Sequence, residues 1–348
     1  MSPTPGARPC NLVTGALGFV GLHLVTALVR AGLPVIGAGK HPGGTHPPQR
    51  AGGFRNAGPA PELPGAVCYE GPDGRFWYVP LDLEDAAPVA ALLGKLDVAT
   101  VYHLAAQSSA AVSFTAPVPT FAANLTGTLN LLEAVRALPE AARPIVLAVG
   151  SCEEYGPQDH DGRPLAEDTP LNPISPYAVS KAAQTLLCRQ YARSWDLPVI
   201  PVRSFSHTGP GHDTRFAFPD FARQIAAAEA GAGPAEIRTG DLSAVRDFLD
   251  VRDVVAAYRL LVQHGQPGEV VNVCSGTGLT MARGLEILVG GARCRVTVTR
   301  DPARSRPSDT PWLVGDNTRL RAATGWAPEH DIEGTLLGLL DAARREFA

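Results

Sequence analysis

Thr14-Gly15-Ala16-Leu17-Gly18-Phe19-Val20-Gly21 is the stretch whose reading decides the fold. An apolar run, Cys10-Asn11-Leu12-Val13, leads into it, and a helical pattern rich in Leu, Val and Ala follows to about Arg30. The order is strand, tight turn, helix. Glycine suits the turn because it accepts positive φ and has no Cβ to hold a ligand off the backbone. Amide groups at the start of the helix then face an anion, with the helix dipole behind them. The spacing is G-x-x-G-x-x-G, looser than the G-x-G-x-x-G dinucleotide fingerprint. These residues alone allow a pyrophosphate site or a glycine-rich turn that binds nothing. The uncharged run Asn11 to Val29 is also long enough for a membrane span. Asn11, His23 and three glycines within it, with only Arg8 ahead of it, argue against a span or a signal peptide.

Further along, Leu33 to Ala38 predicts a second buried strand, ending in Gly39-Lys40-His41. In dinucleotide folds an acid at this place bonds the 2′-hydroxyl of NAD. Here Lys40 stands there instead, and a cation favours the 2′-phosphate of NADP(H) over NAD(H). From 41 to 65 the chain is crowded with Pro and Gly, which reads as an insertion, either a mobile flap or partly disordered. A hairpin over Val67 to Val79 is expected to lead to the third strand, and Asp82-Leu83-Glu84-Asp85 to open a helix. Asp82 meets the adenine edge or caps that helix. Val98 to His103 predicts a fourth strand, continued by Leu104-Ala105-Ala106-Gln107-Ser108-Ser109, small enough for a cofactor to lie close. A helix around 120 to 138 and a fifth strand over 144 to 149 follow. Strands and helices alternating in this way imply a doubly wound parallel sheet, with ligands beyond the carboxyl ends of its strands.

At the end of the fifth strand lies Gly150-Ser151-Cys152-Glu153-Glu154-Tyr155-Gly156, and Ser175-Pro176-Tyr177-Ala178-Val179-Ser180-Lys181 begins a helix running to about Arg193. Tyr177 and Lys181 share one helical face. Reducing a carbonyl builds negative charge on oxygen, so a positioned acid must supply a proton. Free tyrosine has a pKa of ~10, and lowering it by three units takes roughly 4 kcal/mol, about what one cation ~4 Å away supplies at an effective dielectric near 20. Lys181 is therefore expected to tune Tyr177, with Ser151 bonding the same carbonyl oxygen.

Composition sets the outer bounds. The 348 residues are about twice a typical domain, 45% are hydrophobic and 18% charged, and the formal net charge is -4 with no long basic run. This describes a globular enzyme-sized chain with no nucleic-acid partner and no membrane. Cys10, Cys68, Cys152, Cys188, Cys274 and Cys294 are scattered, which fits free thiols in a reducing cytoplasm and no metal site.

With the glycine turn, Ser151 and Tyr177-x-x-x-Lys181 in place, the chain resembles the extended short-chain dehydrogenase/reductases that act on nucleotide sugars. Arg203-Ser204-Phe205-Ser206-His207-Thr208-Gly209-Pro210-Gly211, Arg246-Asp247-Phe248-Leu249-Asp250-Val251-Arg252-Asp253, Val271 to Gly276 and Arg306-Pro307-Ser308-Asp309 sharpen the likeness toward the GDP-4-keto-6-deoxy-D-mannose reductases, which make GDP-D-rhamnose. The resemblance implies a Rossmann domain over 1–205, with 241–263 and part of 307–348 returning to it. A smaller mixed α/β substrate-binding lobe would take 206–240 and 264–306. It implies Ser151, Tyr177 and Lys181 as catalytic residues. Gly15, Gly18, Phe19, Val20, Gly21, Lys40, Asp82, Leu83, Leu104, Ala105 and Ala106 would join Tyr177 and Lys181 around the cofactor. Ser108, Cys152, Ser206, Arg246, Arg306 and Asp309 would face a nucleotide-sugar substrate, the arginines gripping its diphosphate. It also implies a homodimer through the helices at 120–138 and 178–191. Two departures stand out: Ser204 and Ser206 replace the family's Pro and Asn. Glu153 stands where the related 4,6-dehydratases keep the base that takes the C5 proton, with Cys152 beside it. Reductase, dehydratase, epimerase and a non-catalytic NADP-binding regulator all remain open at this point.

Overall fold

The computed structural model describes residues 9–40, 53–63, 65–158, 162–304 and 310–347. It opens with β1 (Cys10–Thr14), the glycine turn, α1 (Phe19–Arg30) and β2 (Val35–Gly39). β3 (Arg55–Pro59), β4 (Val67–Gly71) and β5 (Gly74–Pro80) then form an antiparallel meander, and β5 runs parallel to β2. The 67–79 hairpin is thus present as expected. β3 is a correction: it falls in the span 41–65 read as an insertion, yet its backbone pairs with the open edge of β4. Residues 41–52 and 64 lie outside the described residues.

α2 (Ala86–Lys95) is capped by Asp85, whose side chain accepts from Ala87 N at 3.2 Å. Asp82 is therefore not the cap. β6 (Val98–His103) leads to α3 (Ala110–Thr115), α4 (Pro117–Phe121) and α5 (Gly127–Arg136), then β7 (Ile145–Val149). A π-helical turn, Ala122–Thr126, joins α4 to α5, so the helix predicted over 120–138 carries a bulge at the buried Asn124. α6 (Pro176–Trp195) starts where Ser175 Oγ accepts from Ala178 N and Pro176 supplies a ready-made first-turn φ. β8 (Val199–Ser204) and β9 (Ser206–Thr208) follow, then α7 (Ala217–Glu229), β10 (Glu236–Thr239), β11 (Val245–Asp250), α8 (Val251–His264) and β12 (Val271–Val273). β13 (Gly278–Thr280), α9 (Met281–Gly290), β14 (Thr297–Arg300), β15 (Trp312–Leu313), α10 (Thr318–Thr324) and α11 (Ile332–Arg344) complete the chain.

The main sheet has the order β12-β8-β7-β6-β1-β2-β5-β4-β3, parallel from β12 to β5. Both faces are covered, as a parallel sheet requires. Leu22, Val25 and Leu28 of α1 and Val254, Tyr258 and Leu261 of α8 share one core. Val89 and Leu93 of α2, Leu131 and Val135 of α5, and Cys188 and Tyr191 of α6 share the other. A separate core joins Phe218, Phe221 and Ile225 of α7 to Leu285 and Leu288 of α9 and to Leu336, Leu339 and Leu340 of α11, beside the parallel pair β10 and β14. Two boundaries drawn from sequence change accordingly. β12, inside 264–306, is the edge of the main sheet, because its buried Val-Asn-Val pairs with β8. α11, inside 307–348, packs into the smaller lobe, because its apolar stripe fits α7 and α9.

Candidate active site

The glycine turn sits at the carboxyl end of β1. Gly15 has φ 69°, and a Cβ there would stand 2.9 Å from Ala105 N; at Gly21 it would stand 2.2 Å from Gly15 O. Gly18 N closes the turn on Gly15 O at 2.9 Å. A side chain at either outer position would thus push the turn off β6 or off its own helix.

One cavity of about 1340 Å³ opens over this turn. It exceeds the roughly 300–1,000 Å³ typical of a pocket for one small ligand, so two ligands can lie side by side. Every described residue expected at the cofactor lines it: Gly15, Gly18, Phe19, Val20 and Gly21, Lys40, Asp82 and Leu83, Leu104, Ala105 and Ala106, with Tyr177 and Lys181. Ser151, Glu153, Ser108, Cys152, Ser206 and Arg246 line the same space. Arg306 and Asp309 lie outside the described residues. The walls suit a dinucleotide: small side chains along its length, a helix N-terminus at the centre and a cation at one end.

That cation is not bare. Lys40 Nζ lies 3.3 Å from Asp82 Oδ1 and donates a hydrogen bond to Glu84 Oε1. The acid missing after β2 is thus supplied from the chain after β5. With the Lys40 side chain 47% exposed, such pairs are worth about 0–1 kcal/mol and exchange readily.

At the other end, Ser151 follows β7 and starts a single 3₁₀ turn, Cys152–Glu154. Its Oγ accepts from Glu153 N at 3.2 Å, and its own N–H donates to Glu154 Oε1 at 2.9 Å. Tyr177 is buried; burial first, then the Glu153 carboxylate, push its phenol well above the usual range, while a hydrogen bond with Ser151 pulls the other way. Lys181 donates to Val149 O at 2.7 Å and to Gln184 Oε1 at 3.0 Å. The expectation that Lys181 pulls Tyr177 down is therefore corrected. Burial dominates, and the ammonium is turned to the end of β7.

Burial also lowers Lys181 itself, from 10.5 to about 8, with Glu154 opposing the drop. A base whose folded pKa lies below its unfolded value destabilises the fold at low pH, and the penalty fades as pH rises from about 8 to 10.5. Lys181→Met should then be more stable than the parent at pH 7, by up to about 3 kcal/mol. Urea unfolding should show that advantage shrinking across this window; a pH-independent difference would contradict it.

The family model for GDP-mannose 4,6 dehydratase matches residues 12–337. The chain belongs to that family. As a member it is an NAD(P)-dependent nucleotide-sugar oxidoreductase of the extended short-chain dehydrogenase/reductase type. The GDP-6-deoxy-D-mannose reductase of Pseudomonas aeruginosa is 38% identical over 240 residues, covering 69% of this chain and 78% of that one. Among solved structures, RMD from Pseudomonas aeruginosa complexed with NADPH superposes with a TM-score of 0.77 at 30% identity, covering 97% of this chain and 100% of that one. The UDP-glucose 4-epimerase of Thermus thermophilus, complexed with NAD, gives 0.77 at 28% identity over 96% and 98%.

Within this family frame, the structure adds supports that the sequence did not single out. Glu154 and Arg203 form a buried ion pair at 2.9 Å; Glu154 also takes Thr185 Oγ1 at 3.0 Å, and Arg203 donates to Tyr155 Oη and Glu167 O, both at 2.9 Å. This cluster fixes the turn bearing Ser151. Asn124, in the π-helical bulge, accepts from Gln107 N at 2.8 Å and donates to Gln107 O at 3.1 Å and Ser180 Oγ at 2.9 Å, tying the loop after β6 to α6. Phe19 stacks on His212 at 4.2 Å, and His212 on Phe216 at 4.4 Å, joining the turn to the smaller lobe. Apart from His212 and Phe216, these partners lie far apart in the chain, so no local pattern marks them. Cys152 is buried with Tyr155, Leu165, Phe205, Cys274 and Leu313. Burial and nearby carboxylates push its thiol above its ordinary value.

Proposed function

We propose that this chain reduces the C4 keto group of a nucleotide-linked 4-keto-6-deoxy sugar, converting GDP-4-keto-6-deoxy-D-mannose to GDP-D-rhamnose with NADP(H). The observation that carries the reading is Tyr177 beside Ser151 in the cavity that also holds the glycine turn. The cofactor would supply the hydride. Amides of the turn would hold its pyrophosphate, Lys40 would take the 2′-phosphate in place of Asp82 and Glu84, and Lys181 would hold the nicotinamide ribose. Tyr177 Oη gives its proton to the developing C4 alkoxide, and Ser151 Oγ bonds the same oxygen. Arg246, and Arg306 beyond the described residues, take the diphosphate.

A reductase fits Cys152 better than a dehydratase does. Expelling the C6 hydroxyl needs an acid beside Glu153, and a buried thiol whose pKa is raised is a weak one. Glu153 at the cavity is the feature that favours the dehydratase or epimerase. NADPH mixed with freshly generated GDP-4-keto-6-deoxy-D-mannose should lose its nicotinamide absorbance stoichiometrically. No loss, with a 4-keto sugar formed from GDP-mannose, would replace the reductase by the dehydratase. No turnover on any keto sugar would leave the NADP-binding regulator.

Lys40→Ala should weaken NADPH roughly tenfold, the scale of one charge-assisted hydrogen bond, and leave NADH within about twofold. Equal losses in fluorescence titrations would remove the NADP(H) preference. We also assign a homodimer, supported by Leu129 on α5 and Val179, Leu186 and Trp195 on α6, apolar and exposed on the helices named from sequence. A cytoplasmic setting is supported by six free cysteines. Among the described residues, no helix is long and apolar enough to cross a membrane.

A further inference from the structure

We propose that Gln184 is a positioning residue for the reduction: its side-chain amide clamps Lys181 Nζ to the carbonyl that ends β7 and so fixes the ammonium at the cavity wall. The inference rests on the NADP(H) reading, since this cation is the one that would hold the nicotinamide ribose. Gln184 lies three residues after Lys181 on α6, on the same face, and is 1% exposed. Its Oε1 accepts from Lys181 Nζ at 3.0 Å, and its Nε2 donates to Val149 O at 3.2 Å. Lys181 Nζ donates to the same Val149 O at 2.7 Å. The three groups close a ring of hydrogen bonds.

Only one orientation of the amide completes that ring. Turned over, it would set its NH₂ against the ammonium and its oxygen against the carbonyl. A buried amide without partners is costly, so the ring fixes the Gln184 side chain and, through it, the lysine. An ammonium has three N–H donors. Two go to the ring, which leaves the third for a ligand in the cavity that Lys181 lines. Val149 is the last residue of β7, two before Ser151, so the clamp also ties the cation to the strand that carries the Ser151 turn.

The neutrality of the clamp matters as much as its shape. A carboxylate at 184 would compete with the ligand for the cation, whereas an amide leaves its charge uncancelled. Four titratable groups face the ammonium: Glu154 of the turn after β7, His103 at the end of β6, and Tyr177 and Cys188 on its own helix face. Glu154 favours the charged form but is already paired with Arg203 at 2.9 Å. Burial, then Lys181, hold His103 down to about 3, and its ring bonds Thr14 and Thr128. Burial pushes the Cys188 thiol up to about 12 and the Tyr177 phenol well above its usual range. An acceptor that bonds the ammonium favours it, so losing Gln184 Oε1 should carry Lys181 below its value of about 8.

The test is an NMR titration of the full chain produced with lysine labelled at Cε, which carries only three reporters, Lys40, Lys95 and Lys181. Lys181→Met assigns the third signal. Gln184→Met keeps the bulk and loses the amide, and should lower the Lys181 pKa by about one unit; Gln184→Glu should raise it by about as much. Opposite shifts are what a clamp requires and a packing role does not produce. A Lys181 titration that stays put in either variant, or moves the same way in both, overturns the inference, and each variant decides alone if the other does not fold. NADPH titrations followed by intrinsic fluorescence supply the link to the reaction. Affinity should fall as pH rises through the Lys181 pKa, and at lower pH in Gln184→Met than in the parent. Lys40 stays out of this window: burial pulls it down, but its bonds to Glu84 and Asp82 outweigh that and raise it above 10.5. NADPH affinity that does not follow the lysine overturns the positioning role. If the unaltered protein bound no NADPH at any pH, the NADP(H) reading would fall and this inference with it, even with opposite shifts of Lys181, which tells the two failures apart.

Discussion

Replacing Tyr177 by phenylalanine should cut turnover of a 4-keto sugar by about 10²–10⁴-fold, the usual contribution of a positioned general acid. NADPH affinity should stay within about twofold, since the phenol is needed at the substrate oxygen. The structure sharpens the reason for a large effect. Tyr177 hydrogen-bonds Ser151 in the same cavity, so both hydroxyls converge where the substrate oxygen would lie. Phenylalanine keeps the ring in its buried seat and removes only Oη. Stopped-flow reduction and a parallel binding titration separate the two quantities. Activity within tenfold of the parent, a barrier change below ~1.4 kcal/mol, would move the proton donor to another group.

Arg203→Met should destabilise the fold by about 3–5 kcal/mol in urea unfolding, because it strands the buried Glu154 carboxylate without its countercharge. Activity should fall as well, since Glu154 holds the Ser151 amide at 2.9 Å. The double variant Arg203→Met, Glu154→Met should recover much of the stability, because an apolar pair of similar bulk needs no desolvation of charge. It should not recover the activity. Stability and activity returning together would mean that the ion pair does not position Ser151. Thr185, Tyr155 and Asn272 extend the network, with Tyr155 Oη donating to Asn272 Oδ1 at 2.7 Å, so the two substitutions should be non-additive.

Strands and helices with strong local periodicity were legible in the sequence. β6 begins and ends at the residues expected, Val98 and His103. α6 starts at the Ser-Pro pair, because a capping hydroxyl and a proline at the first helical position both act locally. β3 was hidden by its composition: Arg-Asn-Ala-Gly-Pro has no alternating apolar pattern, and its strand conformation comes from pairing with β4. The π-helical bulge at Asn124 was hidden for a similar reason, since the side chain's partners, Gln107 and Ser180, lie on other elements.

The sequence by itself determined the doubly wound sheet, the glycine turn and the Tyr177-Lys181 face, because each rests on backbone conformation or helical spacing over a few residues. Only the tertiary structure decided the electrostatics. Lys40 has acidic partners from the chain after β5, Tyr177 is raised by burial, and Lys181 bonds the end of β7. Charge and hydrogen bonding act over a few ångströms of space, and the groups that meet there lie tens of residues apart along the chain.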